Sequence, residues 1–136
     1  MEEAIRTKTT YFDYCKSAIG NLCIGASDNG LMYIKVVNDV PYSVCPNQYT
    51  SLALQQLEEY FIGERKEFDV KLDLIGYSDF AMKVWQKLIC IPYGKTITYQ
   101  QLAIQMGDVK CIRAAASANG RNPIPIIIPC HRVIGS

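Results

Sequence analysis

The chain has 136 residues, 49% hydrophobic and 20% charged, with a formal net charge of +1. That length holds one domain with a sizeable core or two small ones, and the composition excludes a multidomain assembly and an extended disordered chain. The opening residues, Met1-Glu2-Glu3-Ala4-Ile5-Arg6, are acidic and lack an apolar h-region, and the apolar runs are short, so the expectation is a soluble intracellular protein with no membrane association.

Three extended segments come first, at 8–14, 22–27 and 31–37, and Asp28-Asn29-Gly30 supplies residues that permit positive φ in a tight hairpin turn. Leu54, Leu57 and Phe61 then recur at i, i+3 and i+7, with Thr50 or Ser51 as a cap and Gly63 past the end, which predicts an amphipathic helix over 50–62. Lys66 to Leu74 alternates weakly, and Gly76-Tyr77-Ser78-Asp79 reads as a linker. The predicted domains are therefore 1–79 and 80–136.

The second part reads as mostly helical. Ala81, Val84, Trp85 and Leu88 keep helical spacing until Ile91-Pro92-Tyr93-Gly94 stops them. Thr98-Tyr99-Gln100-Gln101 matches a capping box, Tyr99, Leu102, Ala103 and Met106 form an apolar stripe ending at Gly107, and Asp108 is placed to cap the next helix at once. Residues 98–118 thus have the order of a DNA-binding helix-turn-helix, although antiparallel helix pairs with no such role share it. The fold class predicted is an α/β N-terminal domain, an antiparallel sheet plus a helix, followed by a helical C-terminal domain with a helix-turn-helix.

Charge divides at the same place. Residues 1–79 hold 7 Lys/Arg against 12 Asp/Glu, whereas residues 80–136 hold 7 Lys/Arg and only Asp108 as an acid. A basic C-terminal part suggests an anionic partner, nucleic acid being the commonest, with an internal salt-bridged interface as the other reading. The segment Arg113-Ala114-Ala115-Ala116-Ser117-Ala118 offers one long cation among very small side chains. Such a helix suits close approach to a duplex and an arginine that enters the base stack; it equally suits tight packing on a neighbouring helix.

The six cysteines, Cys15, Cys23, Cys45, Cys90, Cys111 and Cys130, show no zinc-type pairing, and with no export signal reduced thiols are expected, most of them buried. Cys130 differs because it directly precedes His131, the sole histidine. Asn122-Pro123-Ile124-Pro125-Ile126-Ile127-Ile128-Pro129 delivers it on a proline-bounded approach with a buried Ile126-Ile127-Ile128 run. Low dielectric alone leaves a thiol inert, so reactivity needs a partner for the thiolate, and the imidazole next door meets that need if the backbone turns there as at the start of a helix.

From about Ile19 to Ser136 the chain resembles the O6-alkylguanine-DNA alkyltransferases. The resemblance rests on Pro129-Cys130-His131-Arg132-Val133 preceded by Asn122-Pro123 and Arg113-Ala114, on Ile91-Pro92-Tyr93-Gly94-Lys95-Thr96 with Tyr99 and Ala103, and on Ile19-Gly20-Asn21-Leu22 with Asp28-Asn29-Gly30-Leu31. It implies that Cys130 accepts the alkyl group of O6-alkylguanine irreversibly, and that O4-alkylthymine is a further candidate substrate. His131 is implied as base through a water, and Tyr99 as the group that steadies the departing purine. On the same ground Arg113 is the finger filling the stack, on a helix whose Ala114, Ser117 and Asn119 face DNA in the minor groove. Asn122 braces the turn, Pro125 and Val133 line the pocket, and main-chain carbonyls at Cys130 and Val133 accept from the purine's exocyclic amine. The partner implied is double-stranded DNA carrying the lesion, met by a monomer in the cytoplasm (in the nucleus if the source is eukaryotic). No cofactor and no metal are implied.

Two departures from the family pattern stand out. Ala115-Ala116 replaces its Val-Gly, and the family's pocket-walling glycine-rich loop and the helix bearing its relay glutamate would follow Ser136. A chain that stopped there would be expected to transfer weakly. Two other functions compete: a module that binds alkylated DNA without repairing it, and a cysteine hydrolase, which the absence of an evident Asn or Asp beside His131 disfavours.

Overall fold

In the computed structural model, which describes residues 11–40 and 43–135, the chain divides into two compact units, Met1–Gly76 and Tyr77–Ser136. The first begins with a three-stranded antiparallel meander, β1 (Tyr11–Ser17), β2 (Gly20–Ser27) and β3 (Gly30–Val37), in the order β1-β2-β3. Residues 8–10 of the first expected segment lie outside the described residues. The hairpin falls at Asp28-Asn29, but neither residue takes positive φ. Glycine is needed at position 30 for another reason: a Cβ there would lie 2.8 Å from the Leu72 carbonyl carbon and 2.9 Å from Asp73 N. Through that close approach Leu31 N donates to Lys71 O and Asp73 N to Leu31 O, both at 2.8 Å, so the weakly alternating segment contributes one bridge and no strand.

The helix, α1 (Gln48–Phe61), starts earlier than predicted. Asn47 is its cap, accepting from Tyr49 N and Thr50 N at 3.0 Å, and Thr50 is the third helical residue whose hydroxyl accepts from Asn47 N. Thr50 reads as a cap in the sequence because it has the right chemistry for either end of that reciprocal pair. Its buried face is Thr50, Ala53, Gln56 and Leu57, while Leu54 and Phe61 are only half-buried. Gln56 is tolerated inside because its amide bonds Asp69 through both side chain and main chain.

The second unit starts three residues before the predicted boundary. Tyr77 packs edge-on against Trp85 at 4.8 Å, and Ser78 Oγ caps α2 (Asp79–Ile89) by accepting from Ala81 N at 3.1 Å. The predicted stripe is the buried one: Ala81, Val84, Trp85 and Leu88 are all at most 2% exposed. After a turn closed by Lys95 N donating to Pro92 O, β4 (Ile97–Thr98) leads into α3 (Tyr99–Gln105). The capping box there has both bonds, Gln101 N to Thr98 Oγ1 at 3.0 Å and Thr98 N to Gln101 Oε1 at 2.8 Å. Asp108 caps a single 3-10 turn, Val109–Cys111, by accepting from Lys110 N, and not the following helix, α4 (Ile112–Gly120), as expected. α4 packs on both α2 and α3, and Trp85 Nε1 donates to Ala118 O at 2.9 Å across the buried α2–α4 contact. A second 3-10 turn, Cys130–Arg132, runs into β5 (Val133–Ile134). Among the described residues no helix is long and apolar enough to cross a membrane.

Candidate active site and nucleic-acid-facing helix

Cys130 and His131 are consecutive residues of the one-turn 3-10 segment Cys130–Arg132, so the backbone turns at the thiol, with neighbouring side chains directed to different sides of the turn. A single turn carries little macrodipole, so it adds little to the stabilisation of a thiolate. What holds the turn is its own main-chain bonding together with side-chain hydrogen bonds to the segment that precedes it. Pro129 is buried at φ −80°, ψ 66°; Arg132 N donates to Pro129 O at 3.0 Å and Cys130 N to Ile128 O at 2.8 Å. The same Ile128 carbonyl accepts Asn122 Nδ2 at 2.7 Å, while Asn122 Oδ1 accepts from Ile124 N at 2.9 Å. Asn122 therefore ties both ends of the loop 124–128 to one amide.

Within that loop Ile124 and Ile128 are fully buried and Ile127 nearly so. Ile126 departs from the predicted buried run. It is half-exposed at φ 74°, a left-handed conformation costly for a β-branched residue, and the chain accepts it because Ile128 N must return to Ile124 O at 2.9 Å. Pro125 is half-buried at the loop's bridge with Ile128. Val133 is 6% exposed, so its side chain is packed into the interior.

A link invisible in the sequence joins this turn to α3. β4 and β5 pair in parallel, Ile97 with Val133 and Thr98 with Ile134. Tyr99, half-buried, is the first residue of α3, so it begins beside the strand that leaves the Cys130 turn. Two residues per strand are too few for a periodicity to reveal. Arg132 is also a feature that sequence reasoning left without a role: only 9% exposed, it donates from Nη1 to Ile91 O at 2.7 Å and lies over the Tyr93 ring at 5.7 Å. Its neighbour His131 is exposed at the surface, and partial loss of hydration, with the Arg132 charge as the lesser cause, holds the imidazole below the usual histidine range. At neutral pH the imidazole is therefore mostly neutral, with one ring nitrogen able to accept a hydrogen bond.

α4 separates into two faces. Arg113, Ala114 and Ser117 are exposed, and Ala115 and Ala118 are fully buried. Ala115 is therefore on the packing side, and Ala116 is half-buried at the margin. Asn119, expected among the DNA-facing residues, is a correction: it is 6% exposed and turned inward, where Nδ2 donates to Cys130 O at 3.4 Å. That carbonyl also takes the Val133 N–H, so the main-chain acceptor expected for a purine amine at Cys130 already has two donors. Of the other cysteines only Cys15 and Cys23 are buried; Cys45 and Cys90 are exposed, contrary to the expectation for most of them, and all are free thiols.

The DNA-binding domain model of 6-O-methylguanine DNA methyltransferase matches residues 79–136, and the ribonuclease-like domain model of the same protein matches residues 10–74. Methylated-DNA–protein-cysteine methyltransferases of Methanosarcina barkeri and Methanosarcina acetivorans are 41% and 43% identical over 132 residues, covering 93% of this chain and 83% and 84% of theirs. A crystal structure of Mycobacterium tuberculosis OGT in complex with DNA matches with a TM-score of 0.80 and 41% identity, over 92% of this chain and 78% of that one. Matched in both halves, in order, and across most of these relatives' own length, the chain belongs to the 6-O-methylguanine DNA methyltransferase family.

Proposed function

We infer that this protein repairs DNA by moving an alkyl group from O6-alkylguanine to Cys130, once per molecule. The observation that carries the inference is the placement of Cys130 and the only imidazole on one braced turn, in a unit whose α4 presents Arg113, Ala114 and Ser117 outward. His131 takes the thiol proton, with a water as the go-between. The thiolate attacks the alkyl carbon, an S–C bond forms, the C–O6 bond breaks, and its electron pair returns to the purine, which takes up a proton. Tyr99 steadies the purine as that charge develops.

Reaching O6 in this geometry requires the nucleotide to leave the stack. Arg113 supplies the planar cation that fills the gap, while Ala114 and Ser117 are small enough to let α4 approach the minor groove. Asn122 keeps the loop closed, and Pro125 with the Val133 main chain bounds the pocket. The reading extends to a monomer acting in the cytoplasm and to O4-alkylthymine as a further substrate.

Incubation with duplex DNA containing O6-methylguanine, followed by intact mass, tests it: the protein gains one methyl, on Cys130, and Cys130→Ser gains none. Damage-selective binding with no mass change would instead make the protein a reader of alkylated DNA.

A further inference from the structure

Asn119 is the one described residue with a buried side-chain oxygen or nitrogen that has no partner: its Oδ1 has none, although the residue is 6% exposed. Its other amide atom reaches Cys130 O, and exchanging the two would set an oxygen against an oxygen, so that contact fixes the orphan's identity. A position that served packing alone would be better filled by an apolar side chain of similar volume, because a half-satisfied buried amide is costly. The amide is placed where it does one thing, which is to hold the main chain of the reactive residue.

The companion contact sharpens the point. Asn119, on α4, and Asn122, just beyond it, donate to Cys130 O and Ile128 O, the carbonyls on either side of Pro129. Pro129 has no N–H, so at that residue the bend is braced from within only through its carbonyl, which takes the Arg132 N–H. Asn122 sets the approach to the bend, and Asn119 sets the peptide that leaves the thiol-bearing residue. With that carbonyl drawn toward an amide N–H, its negative end has a partner other than the sulfur, and the Cys130 side chain starts from a fixed backbone.

Resting on the alkyl-transfer reading above, we propose that Asn119 is a positioning residue for that reaction: its buried amide orients the Cys130 peptide from α4, and it makes no contact with DNA.

Asn119→Leu removes the donor and the orphan oxygen together while keeping the number and branching of the side chain's heavy atoms. The variant is expected to bind duplex DNA with unchanged affinity and to melt no lower than the parent. Its single-turnover transfer at saturating DNA should fall by about ten- to a hundredfold, the scale of a small misplacement of a reacting group. A purely structural role gives the reverse pattern, a lower melting point with the transfer rate retained, and overturns the proposal; so does lost DNA affinity. A measurement on the parent protein stands independently of how the variant folds: the Asn119 side-chain amide signals should be slow to exchange and should shift when Cys130 is alkylated, and signals that exchange freely and stay in place sink the idea. If the parent gains no methyl at all, the transfer reading itself fails, whereas transfer that is equal in parent and Asn119→Leu removes only the role of Asn119.

Discussion

Arg132 Nη1 donates to the carbonyl of Ile91 at 2.7 Å across forty-one residues of sequence, and both residues are buried. The bond ties the Cys130–Arg132 turn to the end of α2, where Ile91 N in turn donates to Leu88 O. A buried guanidinium is costly unless its donors are used, so its presence here argues for a geometric purpose more than for stability as such.

Breaking that pair should be expensive all the same. Arg132→Met leaves the Ile91 carbonyl unsatisfied in the interior, and a loss of about 2–3 kcal/mol is expected, read from the midpoint of urea unfolding. Arg132→Lys should recover little, because the planar head that lies over Tyr93 cannot be copied by an ammonium. An unchanged midpoint in Arg132→Met would show that the guanidinium contributes nothing to the turn.

Asn122 uses both ends of its amide, so its two bonds can be separated by substitution. Asn122→Asp keeps the acceptor for Ile124 N and removes the donor to Ile128 O; Asn122→Ala removes both. The alanine variant is expected to lose about 2 kcal/mol. The aspartate variant should fare no better, since it sets a carboxylate against a buried carbonyl, and both should transfer methyl more slowly in the mass assay. If the aspartate variant matches the parent in both stability and rate, the Ile128 bond is not what closes the loop.

How much of this could be read beforehand depended on the reach of each signal. The α2 stripe and the Thr98–Gln101 capping box are local, written within one or two helical turns, and both appear as predicted. The start of α1 was misread because Asn47 and Thr50 form a reciprocal pair in which either residue looks like the cap. Asn119 was placed on the wrong face of α4 because a short alanine-rich helix has no apolar stripe to orient it; the inward side became clear only from Ala115 and Ala118. The pairing of Ile97 with Val133 joins segments far apart in sequence through two residues each, and no period of that length exists to be seen.

The pH dependence follows from His131, the only imidazole in the chain, which makes its titration simple to observe. Burial first, and the Arg132 charge second, lower its proton affinity in the folded state. If the neutral form is the working base, as proposed, the acid limb of the transfer rate should lie below the unperturbed value of about 6.5. The stability consequence has the same sign: the unfolded chain takes the proton more readily, so the contribution is present above that value and is lost as pH falls below it. NMR titration of the imidazole checks both, and a midpoint above the unperturbed value would contradict this account of the site.

Arg113 gives the clearest test of the role of α4, because it is exposed and lies on the outer face with Ala114 and Ser117. A residue that only neutralised phosphate would be replaced adequately by lysine, with the salt dependence of binding preserved. A residue that occupies the gap left by a rotated nucleotide needs a flat cation that stacks and donates hydrogen bonds at once, which lysine lacks. Arg113→Lys should therefore keep the salt slope yet transfer methyl from duplex DNA at least about tenfold more slowly, one decade of rate being about 1.4 kcal/mol. The same variant should lose much less with the free base O6-methylguanine, where no stack has to be refilled. Equal losses on duplex and free base would place the arginine in the chemistry of Cys130 instead, and no loss on either would leave α4 without its wedge.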